Sequence, residues 1–446
     1  MIRFTEENGA LIARSRNETI RIEGWGNNAL RVRTTLLKRR PENAHALTEN
    51  VAHCAKVSID ESNETAEIVN GKIKATVNGV GIICFYKDNE LILQEYYSYY
   101  YGSIRKEAIC YKIRSREYKG LASDNFKITV RFEPDPKEKL FGMGQYQMPI
   151  LDLKGSVLPL EQRNSQVSVP FVVSSKGYGM LWNNPSTGEA AFGTNITKWI
   201  SDESDMVDYW ITADDTPAQI VTSYTECVGR APVMSKDYLG LWQCKLRYRT
   251  PDEVLEVARK YKKLGIKLDV IVIDFFHWPH QGDWRFDEKY WSRDAVKAMT
   301  DELHAMGTKV MVSVWPSVDK RSENYYEMEQ KALISTTDVG SVQTYDYEGD
   351  CGTVDFFNPE AQEFVWGKCK QNYRDWGIDL FWLDNSEPDS TKYDFENYRY
   401  YTGRGSKVGC EYPKKYVEAF YNGQEAEGDH EAVNLCRSAW VGSQKD

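Results

Sequence analysis

Thr250–Asp274, TPDEVLEVARKYKKLGIKLDVIVID, is the stretch on which the fold turns. Thr250 with Glu253 three residues later reads as a capping box, and Pro251 suits the first helical position, where a missing N–H costs nothing. Val254, Val257, Ala258, Tyr261 and Leu264 recur at helical spacing as the apolar stripe of that helix, and Gly265 ends it. Leu268–Asp274 (LDVIVID) is then continuously apolar up to its final acid. That is the pattern of a strand covered on both faces in a parallel sheet.

The same unit recurs. Leu239–Gln243 precedes it as a short strand. A helix over Arg293–Met306 stops at Gly307 and is followed by a strand, Val310–Trp315. Another begins at Asn358-Pro359, stops at Gly377 and leads into Leu380–Asp384; Ala432–Cys436 is a fifth strand. Helix, glycine, a polar residue or two, then a buried strand ending in an aromatic or an acid is the grammar of a (β/α) barrel. A doubly wound open sheet is the alternative, disfavoured because no Gly-rich phosphate loop follows any strand. Five strands fall short of the eight of a (β/α)8 TIM-type barrel, so the expected barrel is incomplete, with an open edge and a chain cut short.

Residues 1–235 read differently, as short strands separated by turns. Phe126, Ile128, Val130 and Phe132 alternate with Lys127, Thr129 and Arg131. Ile73, Ala75 and Val77 lead into Asn78-Gly79, a hairpin signal, and Gly81–Tyr86 returns. With no long amphipathic helix in view, this half is expected to be a β-sandwich domain, preceding a partial barrel over 236–446.

Composition narrows the function. A formal charge of −10 and the lack of any Lys/Arg run argue against a nucleic-acid partner. No apolar stretch reaches membrane-span or signal-peptide length, and the nine cysteines are scattered without C-x-x-C pairs, which fits reduced thiols in a cytoplasmic protein. The N-x-[ST] sites at Asn17, Asn63 and Asn195 then carry no sugar. Thirteen Trp and 28 Tyr fit either a large aromatic core or a ring-lined cleft that grips a sugar through its C–H faces. His277 and His280 stand near Asp283 without a fourth ligand and read as a loop rim, so neither a metal nor another cofactor is expected. A homo-oligomer is left open.

The chemistry concentrates in Phe381–Pro388, FWLDNSEP. Trp382 and Asp384 lie two apart on a strand and share a face. An Asp at a barrel-strand end is either catalytic or a structural cap, and Glu387 on the following loop is placed to orient it. The run W-L-D-N-S-E-P resembles the W-x-D-x-x-E-P signature of glycoside hydrolase family 31. So do three more segments, in order: VIVIDFF (270–276), VSVWP (312–316) and RSAWVGSQ (437–444), the last similar to R-S-x-x-x-G-x-Q. LFGMGQ (140–145) resembles the family's F-G-x-G-[EQ] loop.

The resemblance implies a retaining α-glycoside hydrolase acting on terminal α-linked xylose or glucose. In it Asp384 is the covalent nucleophile, and Arg437 favours its charged form. Asp274 binds sugar hydroxyls, Phe276, Trp315 and Trp382 wall the site, and Glu387 supports it. Phe276, two residues after Asp274, leans the reading towards xylose. The family's acid/base lies in a W-x-G-D stretch beyond R-S-x-x-x-G-x-Q. Here only Lys445 and Asp446 follow Gln444, so no residue is assigned that role, and this chain by itself is expected to be inactive. An α-transglycosylase on the same residues, and a non-catalytic remnant that only binds carbohydrate, are the alternatives.

Overall fold

Residues 2–38, 45–48, 52–96, 114–122, 124–388 and 395–445 are described by the computed structural model. Contacts divide the chain into two units, Met1–Glu161 with Val167–Arg230, and Gln162–Gln166 with Ala231–Asp446. Gln162 belongs with the second unit because its amide donates to the Cys410 carbonyl (3.2 Å) and accepts from Ser438 Oγ (3.3 Å).

The first unit is built from antiparallel strands in three sheets of eight, five and five strands. Their inward residues alternate along each strand and join one core. Leu30 and Val32 come from the first sheet, Ile128 and Val130 from the second, and Ile68, Ala75 and Phe85 from the third. The alternation over Phe126–Phe132 and the pairing of Ile73–Asn78 with Ile83–Lys87 appear where the sequence places them. Leu140–Gln145, expected as a loop, is instead a strand paired with Val167–Ser174. Gly142 and Gly144 have φ of 108° and 95°, and a Cβ on either would run into the Phe171 or Val167 carbonyl. The glycines therefore serve a close backbone approach inside the sheet. A helix, Pro217–Val228, was also not foreseen; Thr216 caps it and it buries only Ile220, Ser223, Cys227 and Val228.

In the second unit five parallel strands pair in chain order: Trp242–Lys245, Val270–Ile273, Lys309–Val314, Leu380–Leu383 and Asn434–Cys436. The first begins three residues later than Leu239, which is exposed. Helices Pro251–Lys263, Arg293–Ala305, Pro359–Asn372 and Tyr412–Ala426 connect them. Thr250 Oγ1 accepts from Glu253 N (3.3 Å), while the Glu253 carboxylate takes the Arg249 N–H (2.8 Å) rather than that of Thr250. Leu264 lies outside the buried stripe, at 62% exposure, and Leu255 joins it instead.

Strand parity sorts the apolar residues into two cores, as a sheet covered by helices requires. Ile271, Ile273, Val310, Val312, Val314, Phe381 and Leu383 pack against helix residues such as Val254, Val296, Met299 and Phe420. Val270, Val272, Met311 and Leu380 form a separate cluster on the opposite face, with Trp242 and Trp382 against it. That second face is the one that leads to the site. Among the described residues no helix is long and apolar enough to cross a membrane.

Candidate active site

Extending the inner parity one step past each strand end gives the site. Asp274 follows Val270 and Val272, Trp315 follows Met311, and Asp384 follows Leu380 and Trp382. Asp384 is 5% exposed, and its backbone N–H donates to Val314 O (3.0 Å), which keeps the carboxylate at the sheet edge beside the third strand. Arg437 comes from the residue after the fifth strand. Its Nε stands 3.3 Å from Asp384 Oδ1, but without hydrogen-bond alignment, so Oδ1 has charge contact and no donor.

The guanidinium is committed elsewhere. Nε donates to both Glu387 carboxylate oxygens (2.9 and 3.1 Å), and Nη2 donates to Glu387 Oε2 (2.8 Å) and to Asn385 Oδ1 (3.1 Å). Glu387 is fully buried and Arg437 a quarter exposed. Arg437 thus stands beside Asp384 and also holds Glu387, a contact the sequence does not show. The loops after the fourth and fifth strands are further joined by Ser438 N donating to Ser386 Oγ (3.0 Å).

Asp274 is also buried. Its Oδ1 accepts the Phe275 N–H (2.8 Å), and Cys244 Sγ approaches Oδ2 at 3.7 Å. Burial pushes its carboxyl above the ordinary range, and the charge of Asp384 adds to the push; the two donors only partly offset it. Below Asp274, His277 Nδ1 meets the Asp274 carbonyl (3.0 Å) and Nε2 meets Tyr373 Oη (2.9 Å). His277 is 1% exposed, so the loop-rim reading fails for it: this segment folds under the site and packs the imidazole among Trp278, Phe286 and Tyr373. Desolvation holds it down to about 4, so it is neutral at ordinary pH.

Trp315 is nearly buried between Phe275 (5.2 Å between ring centroids) and Tyr347, which stacks on it at 5.3 Å and 27°. Its indole Nε1 has no partner among the described residues, a buried donor left open. Phe276 sits in the left-handed region (φ 66°), its ring tilted at 56° to Phe275 and under the Arg247 guanidinium at 5.2 Å. With Lys245, Leu246, Arg249 and Glu348 they line an open cleft of about 520 Å³. Trp382 is half-buried against the inner core, one step below Asp384. Among the described residues no three His, Cys, Asp or Glu converge as metal ligands.

The structure therefore brings Asp384 and Glu387 onto Arg437 and sets Asp274 within electrostatic reach of Asp384, while Trp315 packs on Phe275 and Tyr347. Phe276 belongs to the neighbouring cleft. Tyr345, Tyr347 and Asn385 were not singled out by the sequence. Tyr345 and Tyr347 ride on a small sheet of Ser317–Asp319, Thr344–Asp346 and Asp350–Thr353. The signal for it was present: alternation in Thr344–Tyr347, then Glu348-Gly349, both with positive φ, at the turn.

Residues 231–446 match the Glycosyl hydrolases family 31 TIM-barrel domain, and residues 19–190 match the Glycosyl hydrolase 31 N-terminal galactose mutarotase-like domain. The uncharacterized family 31 glucosidase ORF2 of Pseudescherichia vulneris is 45% identical over all of this chain and 85% of its own length. The α-xylosidase of Saccharolobus solfataricus is 32% identical over 72% of this chain, which spans only 44% of that enzyme. A family 31 α-xylosidase from a soil metagenome, solved with xylose, superposes with a TM-score of 0.94 at 45% identity, covering 99% of this chain and 66% of that one. The Aspergillus niger xylosidase structure gives 0.86 at 28% identity, over 97% and 65%.

Proposed function

The chain belongs to glycoside hydrolase family 31, and from that premise we propose that it forms the sugar-binding and nucleophilic part of a retaining α-glycosidase for terminal α-linked xylose or glucose. The observation that carries this reading is the state of Asp384: a buried carboxylate beside a guanidinium, with one oxygen that no donor occupies. Asp384 attacks the anomeric carbon, the bond to the leaving oxygen breaks, and a glycosyl ester forms; water then releases the sugar with its configuration retained.

Asp274 accepts hydrogen bonds from hydroxyls away from the reacting bond, and the free Trp315 N–H donates to another. Trp382 limits the space around the ring. Binding energy gathered at these groups is available to distort the sugar towards the transition state. The proton donor is assigned to none of these carboxyls, because Glu387 is held by Arg437, and Asp274 by the Phe275 N–H and Cys244. The chain spans 44% of the length of the Saccharolobus solfataricus α-xylosidase and 66% of the soil-metagenome α-xylosidase.

The test is a covalent trap with an activated fluoroxylosyl or fluoroglucosyl fluoride, whose departure needs no proton donor. A mass increase of one fluorosugar on the peptide carrying Asp384 is expected, lost in Asp384→Asn. Labelling elsewhere, or labelling that persists in that variant, overturns the assignment. Faster labelling with the xylosyl than with the glucosyl reagent is expected from the relatives' names.

A further inference from the structure

Immediately after Asp384 the backbone does something costly. Asn385 adopts φ 53° at 2% exposure, a left-handed conformation that a non-glycine residue holds only when its surroundings insist on it. The surroundings are a two-sided clamp on its carboxamide. Oδ1 accepts from Arg437 Nη2 (3.1 Å), and Nδ2 donates to Tyr345 Oη (3.2 Å). One jaw, Arg437, is itself fixed by the Glu387 carboxylate. The other, Tyr345, stands on a strand of the small sheet that follows the third barrel strand. Gln281 pins this sheet by donating to Tyr347 O (2.6 Å). Burial pushes the Tyr345 hydroxyl well up, so it stays protonated and available as acceptor at working pH.

We propose that Tyr345, acting through Asn385, is a positioning residue that sets the direction of the Asp384 carboxylate. This rests on Asp384 being the nucleophile. The turn at Asn385 is the joint between the strand that carries Asp384 and the loop that carries Glu387. A carboxamide held from both sides lets that joint take one rotation about the chain. Without the Tyr345 hydroxyl, the buried Asn385 amide loses this contact, and the turn is held less tightly. The carboxylate then reaches the anomeric carbon from a spread of directions, and alignment is the quantity to which such attack is most sensitive.

The test uses the complete enzyme and the same fluorosugar trap, read as a rate of labelling and a half-saturation concentration. Tyr345→Phe is expected to label about tenfold more slowly with half-saturation unchanged within about twofold. Asn385→Gly, which keeps the left-handed turn but lacks the amide, is expected to match it. The double variant is expected to be no slower than the slower single, because both changes open one clamp. Wild-type labelling speed in either single variant, losses that multiply in the double, or a loss confined to half-saturation overturns the proposal. If Tyr345→Phe fails to fold, Asn385→Gly alone decides. Absence of labelling in the wild type counts against the nucleophile assignment itself and not against the clamp.

Discussion

Arg437→Met should be among the most destabilising single changes in the second unit, and more so than Glu387→Gln. The Glu387 side chain is 1% exposed and the Arg437 side chain 25%. Removing the guanidinium takes away three contacts of 2.8–3.1 Å from Glu387 and the only cation found within 4 Å of Asp384 among the described residues. Two buried carboxylates are left without it. Stripping one partner from a buried ion pair costs about 3–5 kcal/mol, since the remaining charge cannot return to water. Glu387→Gln leaves a cation that water already reaches, so its cost is about 1–2 kcal/mol. For a unit of this size each kcal/mol is worth about 2–4 °C, giving roughly 6–20 °C for Arg437→Met and about 2–8 °C for Glu387→Gln. Arg437→Met/Glu387→Leu, which removes both charges, should recover at least about 2 kcal/mol of the first loss. Calorimetry on the complete enzyme, following the transition that includes this unit, measures all three. A melting point for Arg437→Met within about 3 °C of wild type, or the reverse order of the two singles, would refute the reasoning and leave Arg437 as a partner of Asp384 alone.

Asp274→Asn should raise the melting temperature while lowering kcat/KM on the order of 10²-fold. The folded-state pKa of Asp274 is raised, so its ionised form opposes folding. Stability is therefore lost as pH rises from the unfolded value of about 3.9 through the folded one, and the gain in the variant should vanish below about pH 4. A melting point lowered at pH 7 sinks this reading. His277, held at about 4 by burial, contributes stability that is full above about pH 6.5 and lost as pH falls towards 4, up to about 3 kcal/mol. The melting-point gap between wild type and His277→Asn should shrink over that window, and a constant gap contradicts it. Trp315→Phe, which keeps a ring between Phe275 and Tyr347 but removes the unpartnered N–H, should raise KM about 3–10-fold with kcat little changed; an unchanged KM removes Trp315 from sugar binding.

The barrel strands were readable because parallel strands buried on both faces are short apolar runs, and glycines with φ of 68°, 75° and 97° (Gly265, Gly307 and Gly377) mark where the connecting helices turn back. The strand ends gave Asp274, Trp315 and Asp384 for the same reason. What stayed hidden depends on contacts far apart in sequence. Nothing in the residues around Tyr345 says that its hydroxyl meets Asn385 forty positions on. His277 reads as a rim residue when grouped with His280 and Asp283 along the sequence, whereas its neighbours in space are Phe286 and Tyr373. Leu140–Gln145 was missed as a strand because its glycines imitate a loop, although they are there to let two backbones approach. The Pro217–Val228 helix buries one narrow side, too little to show as a stripe.

Three carboxylates share this site, and their partners separate their roles. Glu387 has both oxygens on a guanidinium, so its negative charge is spent holding Arg437 and, through it, the Asn385 amide. Asp274 takes one backbone N–H and one thiol, and the nearby charge of Asp384 disfavours its ionised form. A hydroxyl-rich ligand would supply further donors to Asp274 and favour that form. Asp384 alone keeps an oxygen with cationic contact but no hydrogen bond, so its lone pair is neither quenched by a donor nor left unbalanced. With Asp274 as the proposed hydroxyl acceptor, a sugar lacking those hydroxyls should lose rate as well as affinity.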